Sequence, residues 1–148
     1  METLRIARLR PDAVLPTRKH PNDAGIDLYA VDADTIPPHG FGILKTGVTI
    51  EIPGGYVGLL KPKGRHDHLL GAGVVDAGYQ GEILIKVANP SPIPLEIPAG
   101  MAIAQLLILP VLTPAVEEVS PQEIHPQESA RGNSGGIVSQ AKKQAGCK

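Results

Sequence analysis

Aromatic side chains are scarce in this 148-residue chain: three tyrosines, one phenylalanine and no tryptophan. A core built from it must rely on aliphatic residues. Cysteine is nearly absent as well. The single Cys147 excludes a disulfide framework and a cysteine-based metal site within one chain. No apolar run approaches the ~20 residues that a membrane span needs, and no long apolar stretch follows Met1–Arg5 to suggest a signal peptide. A cytoplasmic protein is the simplest reading. Net charge is also small, with 14 basic against 15 acidic residues. That balance argues against coating a nucleic acid or an anionic membrane, and neither is expected as a partner. With 42% hydrophobic and 20% charged residues, the chain is not disordered. Its length suits one domain.

Glycine and proline are plentiful, 17 and 15, and they are spaced rather than clumped. They punctuate short apolar runs, the pattern of many short strands joined by tight turns. Strands are expected over residues 1–9, 24–30, 42–52, 56–60, 82–88, 95–97, 101–112 and 116–119, with Val74-Val75 ending a further short run. Pro53-Gly54-Gly55 signals a hairpin, and the stretch 101–112 reads as a buried strand. From Pro121 the chain turns polar, ending in a lysine-containing tail that is expected to be flexible. The predicted organisation is a β domain over residues 1–120 and a C-terminal arm over 121–148. Ten or so strands imply a sandwich, jelly roll or barrel.

Four segments hold residues suited to chemistry. Asp76 ends an apolar run beside the turn Ala77-Gly78-Tyr79-Gln80-Gly81. A carboxylate there is placed to act as a general base, but aspartate also starts turns by bonding the backbone. Tyr79 either covers a sugar or base, or caps the core. Lys61-Pro62-Lys63-Gly64-Arg65 carries three permanent cations in five positions, enough to hold a triphosphate or simply to form a solvated loop. His66 and His68 lack further ligands to complete a metal shell. Arg131-Gly132-Asn133-Ser134-Gly135-Gly136 either cradles phosphate oxygens or is a linker. Gln105, an amide within an apolar strand, must find partners or cost about 1–3 kcal/mol.

Taken in order, these segments resemble the deoxyuridine triphosphatase (dUTPase) family from residue 24 to about 136. Ala24-Gly25-Ile26-Asp27-Leu28-Tyr29-Ala30 resembles its first motif. Gly73-Val74-Val75-Asp76, with Tyr79 and Gly81-Glu82-Ile83, resembles the third. Gly100 to Leu107 resembles the fourth, and Arg131-Gly132 opens something like the fifth. The resemblance implies an all-β jelly roll, a distorted β-barrel, assembled as a homotrimer with active sites shared between subunits. It implies hydrolysis of dUTP to dUMP and pyrophosphate, with Asp76 as the base that activates water. Tyr79 would pack under the deoxyribose and exclude a 2′-hydroxyl. The hairpin from Gly73 through Val75 to residue 82 would read uracil through its backbone. Lys63, Gly64, Arg65 and Gln105 would hold phosphates, and Arg131 would bring the terminal phosphate a contact from a mobile arm. Magnesium would ride on the triphosphate, with Asp27 near it through water. A trimer also suits a chain with few aromatics and a long apolar run that needs cover.

The chain departs from the family pattern in three places. Pro62-Lys63-Gly64-Arg65 replaces the usual Pro-Arg-Ser, and lysine lacks the bidentate fork of arginine. The stretch before Asp76 is short. Gly136 and Ile137 stand where an aromatic normally stacks on uracil. These changes leave a weak or inactive nucleotide-binding trimer as the alternative. A related dCTP deaminase is disfavoured, because Lys86 stands where that family needs a catalytic glutamate.

Overall fold

The computed structural model describes residues 3–63, 69–70, 73–128 and 130. It is all-β apart from one helical turn. Among the described residues, eleven strands run in order: β1 (Arg5–Arg8), β2 (Ile26–Tyr29), β3 (Asp34–Ile36), β4 (Phe41–Lys45), β5 (Val48–Glu51), β6 (Tyr56–Lys61), β7 (Leu69–Leu70), β8 (Gly73–Val75), β9 (Leu84–Ala88), β10 (Leu95–Ile97) and β11 (Ala102–Pro110). The helical turn α1 (Pro121–Ile124) opens on Ser120, with Glu123 completing a capping box.

All ladders are antiparallel. The largest sheet has the order β2-β11-β6-β8, and β4-β9-β7 forms a second. Two-stranded ladders, β1-β5 and β10-β3, complete the jelly roll. Alternation along the strands sends one face of each sheet into a shared aliphatic core. Leu28, Ile36, Ile50, Ile83, Ile85, Ile97, Ile103 and Leu106 are all essentially inaccessible. The predicted face of Ile83, Ile85 and Val87 is buried as expected.

The compact unit containing these strands runs from Met1 to Thr113, and a second unit begins at Pro114.

Four sequence expectations need correction. Residues 42–52 form two strands rather than one, because the backbone turns at Thr46-Gly47, with Gly47 at φ +67°. Pro53-Gly54-Gly55 does turn the chain, with Gly55 at φ +81°, but it is a corner between sheets. β5 pairs with β1, whereas β6 pairs with β11 and β8. No strand forms over 116–119, where Val116 is fully exposed. The 101–112 run is buried on one face only, with Leu109 and Leu112 exposed. Strand β3 had no sequence signal beyond a single apolar residue, Ile36.

Candidate functional site

Two groups of the expected residues form. The first gathers where β2, β11 and the end of β6 meet. Asp27, Gln105 and Lys61 stand in one row across the ladders. Asp27 on β2 is flanked by buried Ile26 and Leu28, so alternation turns its carboxylate to the opposite face. There it forms an ion pair and hydrogen bond with the Lys63 ammonium. Both side chains are 15% exposed, shielded enough for the pair to count electrostatically. Gln105 Nε2 donates to the Pro62 carbonyl at 2.9 Å, fixing the segment that carries Lys63. The amide has room because residue 25 is glycine. An added β-carbon there would collide with Gln105 Oε1 and lie 3.1 Å from its Cβ. Gly25 and Pro62 are thus members of this group that motif reading did not assign a task. The missing signal was spatial, since they lie 80 and 43 residues from Gln105 in sequence.

The second group surrounds the turn after β8. Gly73 packs against Leu60, where a β-carbon would come within 2.6 Å of Leu60 Cδ1, so β8 lies close on β6. Val75 is buried and anchors the strand end. Asp76 follows it, exposed. Its carbonyl accepts from Tyr79 N–H at 3.1 Å, and Gly78 takes φ +88°, the positive value that the third position of a type II turn requires. The turn is closed by backbone. Among the described residues none donates to the Asp76 carboxylate, which is therefore not consumed in starting the turn. The Tyr79 ring folds back over Gly81, and its hydroxyl donates to the Glu82 carbonyl at 2.8 Å. Leu60, Gly73, Val75, Tyr79, Glu82 and Leu84 line a cleft of about 230 Å³. Pockets for whole drug-sized ligands run from ~300 to 1,000 Å³, so this one suits a single planar ring.

The two groups are far apart within one chain. Val75 pairs with Gly58, three residues along β6 from Lys61, and Asp76 lies one residue further in the same direction. With strands ~4.8 Å apart and rising ~3.3 Å per residue, Asp27 and Asp76 are separated by roughly 19 Å.

Gly64, Arg65 and Arg131 lie outside the described residues, as do His66 and His68. Lys86, the residue that disfavours a deaminase, sets its ammonium 4.6 Å from the Phe41 ring centroid on the outer face of β9. Among the described residues no three His, Cys, Asp or Glu side chains gather at metal-binding spacing. The Asp27 carboxylate, a hard oxygen donor, is already matched by Lys63. Such residues fit a magnesium ion that brings its own phosphate oxygens better than one held by protein alone. No helix among the described residues is long and apolar enough to cross a membrane.

The sequence model of the dUTPase family matches residues 12–136. The chain belongs to the dUTPase family. Among its relatives is the deoxyuridine 5′-triphosphate nucleotidohydrolase of Mycobacterium leprae, 39% identical over 141 residues, covering 90% of this chain and 92% of that one. The Candida albicans enzyme of the same name is 34% identical, covering 90% and 87%. Among solved structures, the dUTPase of Staphylococcus bacteriophage 80alpha with dUPNHPP superposes with a TM-score of 0.80 at 28% identity, covering 91% of this chain and 96% of that one. A mutant dUTPase from phage phi11 of S. aureus, described with a structural Mg(II) ion, gives 0.75 at 28% identity, covering 80% and 97%.

Proposed function

We propose that this protein hydrolyses dUTP to dUMP and pyrophosphate. The observation that carries the reading is the Asp76 carboxylate, left over by its own turn and exposed at the end of β8 beside a cleft sized for one ring. Asp76 takes a proton from water as the water oxygen bonds to the α-phosphorus, and the bond from that phosphorus to the bridging oxygen breaks. Pyrophosphate leaves with the bridging oxygen. Uracil occupies the cleft against the backbone of Gly73 and Val75, and Tyr79 packs under the deoxyribose.

Phosphates are held by Lys63, with Gly64 and Arg65 beside it and Arg131 from the C-terminal arm. Gln105 commits one amide N–H to Pro62, leaving the second for a phosphate oxygen. Asp27 orients the Lys63 ammonium. Magnesium on the triphosphate would spread the negative charge and stabilise the departing pyrophosphate. Lys63 in place of arginine keeps the charge but gives up the fork, so grip on the phosphates weakens before chemistry does.

A separation of roughly 19 Å between Asp27 and Asp76 exceeds the reach of one triphosphate. The base of one copy must therefore meet the phosphate-binding group of another. Such a contact joins unlike patches and closes as a ring, which the family resemblance sets at three copies. Apolar side chains are available for burial: register places Val57, Leu59, Val74, Leu107 and Leu109 on one outward face, with Val74 61% exposed. Cytoplasmic localisation agrees with the lone Cys147, which a reducing compartment would keep as a thiol.

Complementation tests both parts. Asp76→Asn and Lys63→Ala chains should each lose most dUTP hydrolysis. Unfolded together and refolded as a mixture, they should regain activity, because some hybrid sites draw both residues from intact copies. Wild-type turnover in the Asp76→Asn protein would remove the base from the account. Absence of recovery on mixing would confine the site to one chain.

A further inference from the structure

Glu82 has no chemical step in the reaction as described, yet both its carboxylate and its carbonyl are engaged. It is half-buried, and its carboxylate Oε1 accepts the Gly47 N–H at 2.8 Å. Its carbonyl accepts the Tyr79 hydroxyl at 2.8 Å. Gly47 is itself immobilised. It is buried at φ +67°, the Ala13 methyl lies 2.8 Å from where a β-carbon would be, and its carbonyl accepts Leu9 N–H at 2.8 Å. The neighbouring bonds join the same two segments: Thr46 Oγ1 donates to the Ile83 carbonyl at 2.6 Å, and Ile83 N–H to the Val48 carbonyl at 2.9 Å.

We infer that Glu82 is a positioning residue that sets sugar selectivity by holding the Tyr79 ring at a fixed height relative to the β4–β5 corner. The inference rests on the proposed dUTP hydrolysis, in which that ring excludes a 2′-hydroxyl. Selectivity by exclusion demands a wall that cannot recede. Tyr79 is 45% exposed and lines two clefts, so packing alone does not fix it. Its hydroxyl bond to Glu82 stops the ring from swinging out. The carboxylate bond to Gly47 stops residue 82 from moving with it. Thr46 and Ile83 hold the strand whether or not Glu82 is present, so removing the carboxylate loosens the wall without unfolding the hairpin.

The experiment compares dUTP with UTP as substrates. Wild-type protein should hydrolyse dUTP and reject UTP; failure to hydrolyse dUTP at all would sink the functional reading itself. Glu82→Ala should lower the preference for dUTP over UTP, read as the ratio of their kcat/KM values, at least about tenfold, the scale of a small displacement at a reacting site. Glu82→Gln, whose amide oxygen can accept the same bond from Gly47, should restore the preference. Gly47 amide hydrogen exchange should accelerate in the alanine variant and not in the glutamine variant. Should Glu82→Ala misfold, Tyr79→Phe cuts the second tie from the other end and should lower the same preference. An unchanged preference in folded Glu82→Ala would overturn the inference, as would a glutamine variant that behaves like alanine.

Discussion

The side chain of Gln105 fills the space that a β-carbon on Gly25 would occupy, so the glycine of the first motif and the glutamine of the fourth are one packing unit. Through Pro62, that unit also sets the place of Lys63.

Gly25→Ala is therefore a test of phosphate grip. Gly25 is not at a positive φ, so its backbone accepts alanine, and space alone decides the outcome. The methyl should push Gln105 off Pro62 and free the Lys63 segment. Steady-state kinetics with dUTP should show KM rising about tenfold with kcat little changed, the signature of lost uniform binding. An unchanged KM would mean that the amide settles elsewhere without consequence.

Asn89 is the polar centre of the 89–93 loop. It is 4% exposed; its Nδ2 donates to the carbonyls of Ile36, Pro37 and Ile93, while Oδ1 accepts from Ser91 N–H and Oγ. Asn89→Ala strands several of these groups and should cost about 2–3 kcal/mol in urea unfolding. Asn89→Asp keeps acceptors but loses the donors and adds a buried charge, so it should be at least as damaging.

The acid side of the stability curve should carry a mark from Arg10. Its guanidinium donates to both Asp12 oxygens, at 3.0 and 2.7 Å, and holds the Asp12 carboxyl below its ordinary range. The unfolded chain then binds the proton more readily than the folded one. The stabilising contribution is present above the ordinary aspartate range and is lost as pH falls through the depressed folded-state value. Arg10→Gln should return the Asp12 carboxyl resonance to an ordinary titration midpoint by NMR and flatten this part of the acid dependence.

Much of this molecule could be read before its coordinates. Regular spacing of glycine and proline announced a β protein, and period-two alternation pointed to the buried positions Ile83, just before β9, and Ile85 and Val87 within it. The turn that carries Asp76 and Tyr79 was legible because Gly78 and Gly81 punctuate the end of the apolar run there. What stayed hidden depends on sequence-distant partners. A continuous alternating run over 42–52 gave no warning that Gly47 bends out of it to receive Glu82. Pro53-Gly54-Gly55 has hairpin composition, but which strands pair is decided by the sheets on either side. The extended-looking 116–119 lacks a ladder partner within its own chain's described residues, and propensity alone does not make a strand.

The distance across the β2-β11-β6-β8 sheet has a genetic corollary. If neighbouring copies complete one another, a polypeptide damaged at both Asp76 and Lys63 spoils not only its own contribution but also centres to which sound subunits have already given their half. Co-expressed with intact chains, it should poison mixed assemblies, and activity should decline more steeply than the fraction of defective polypeptide rises.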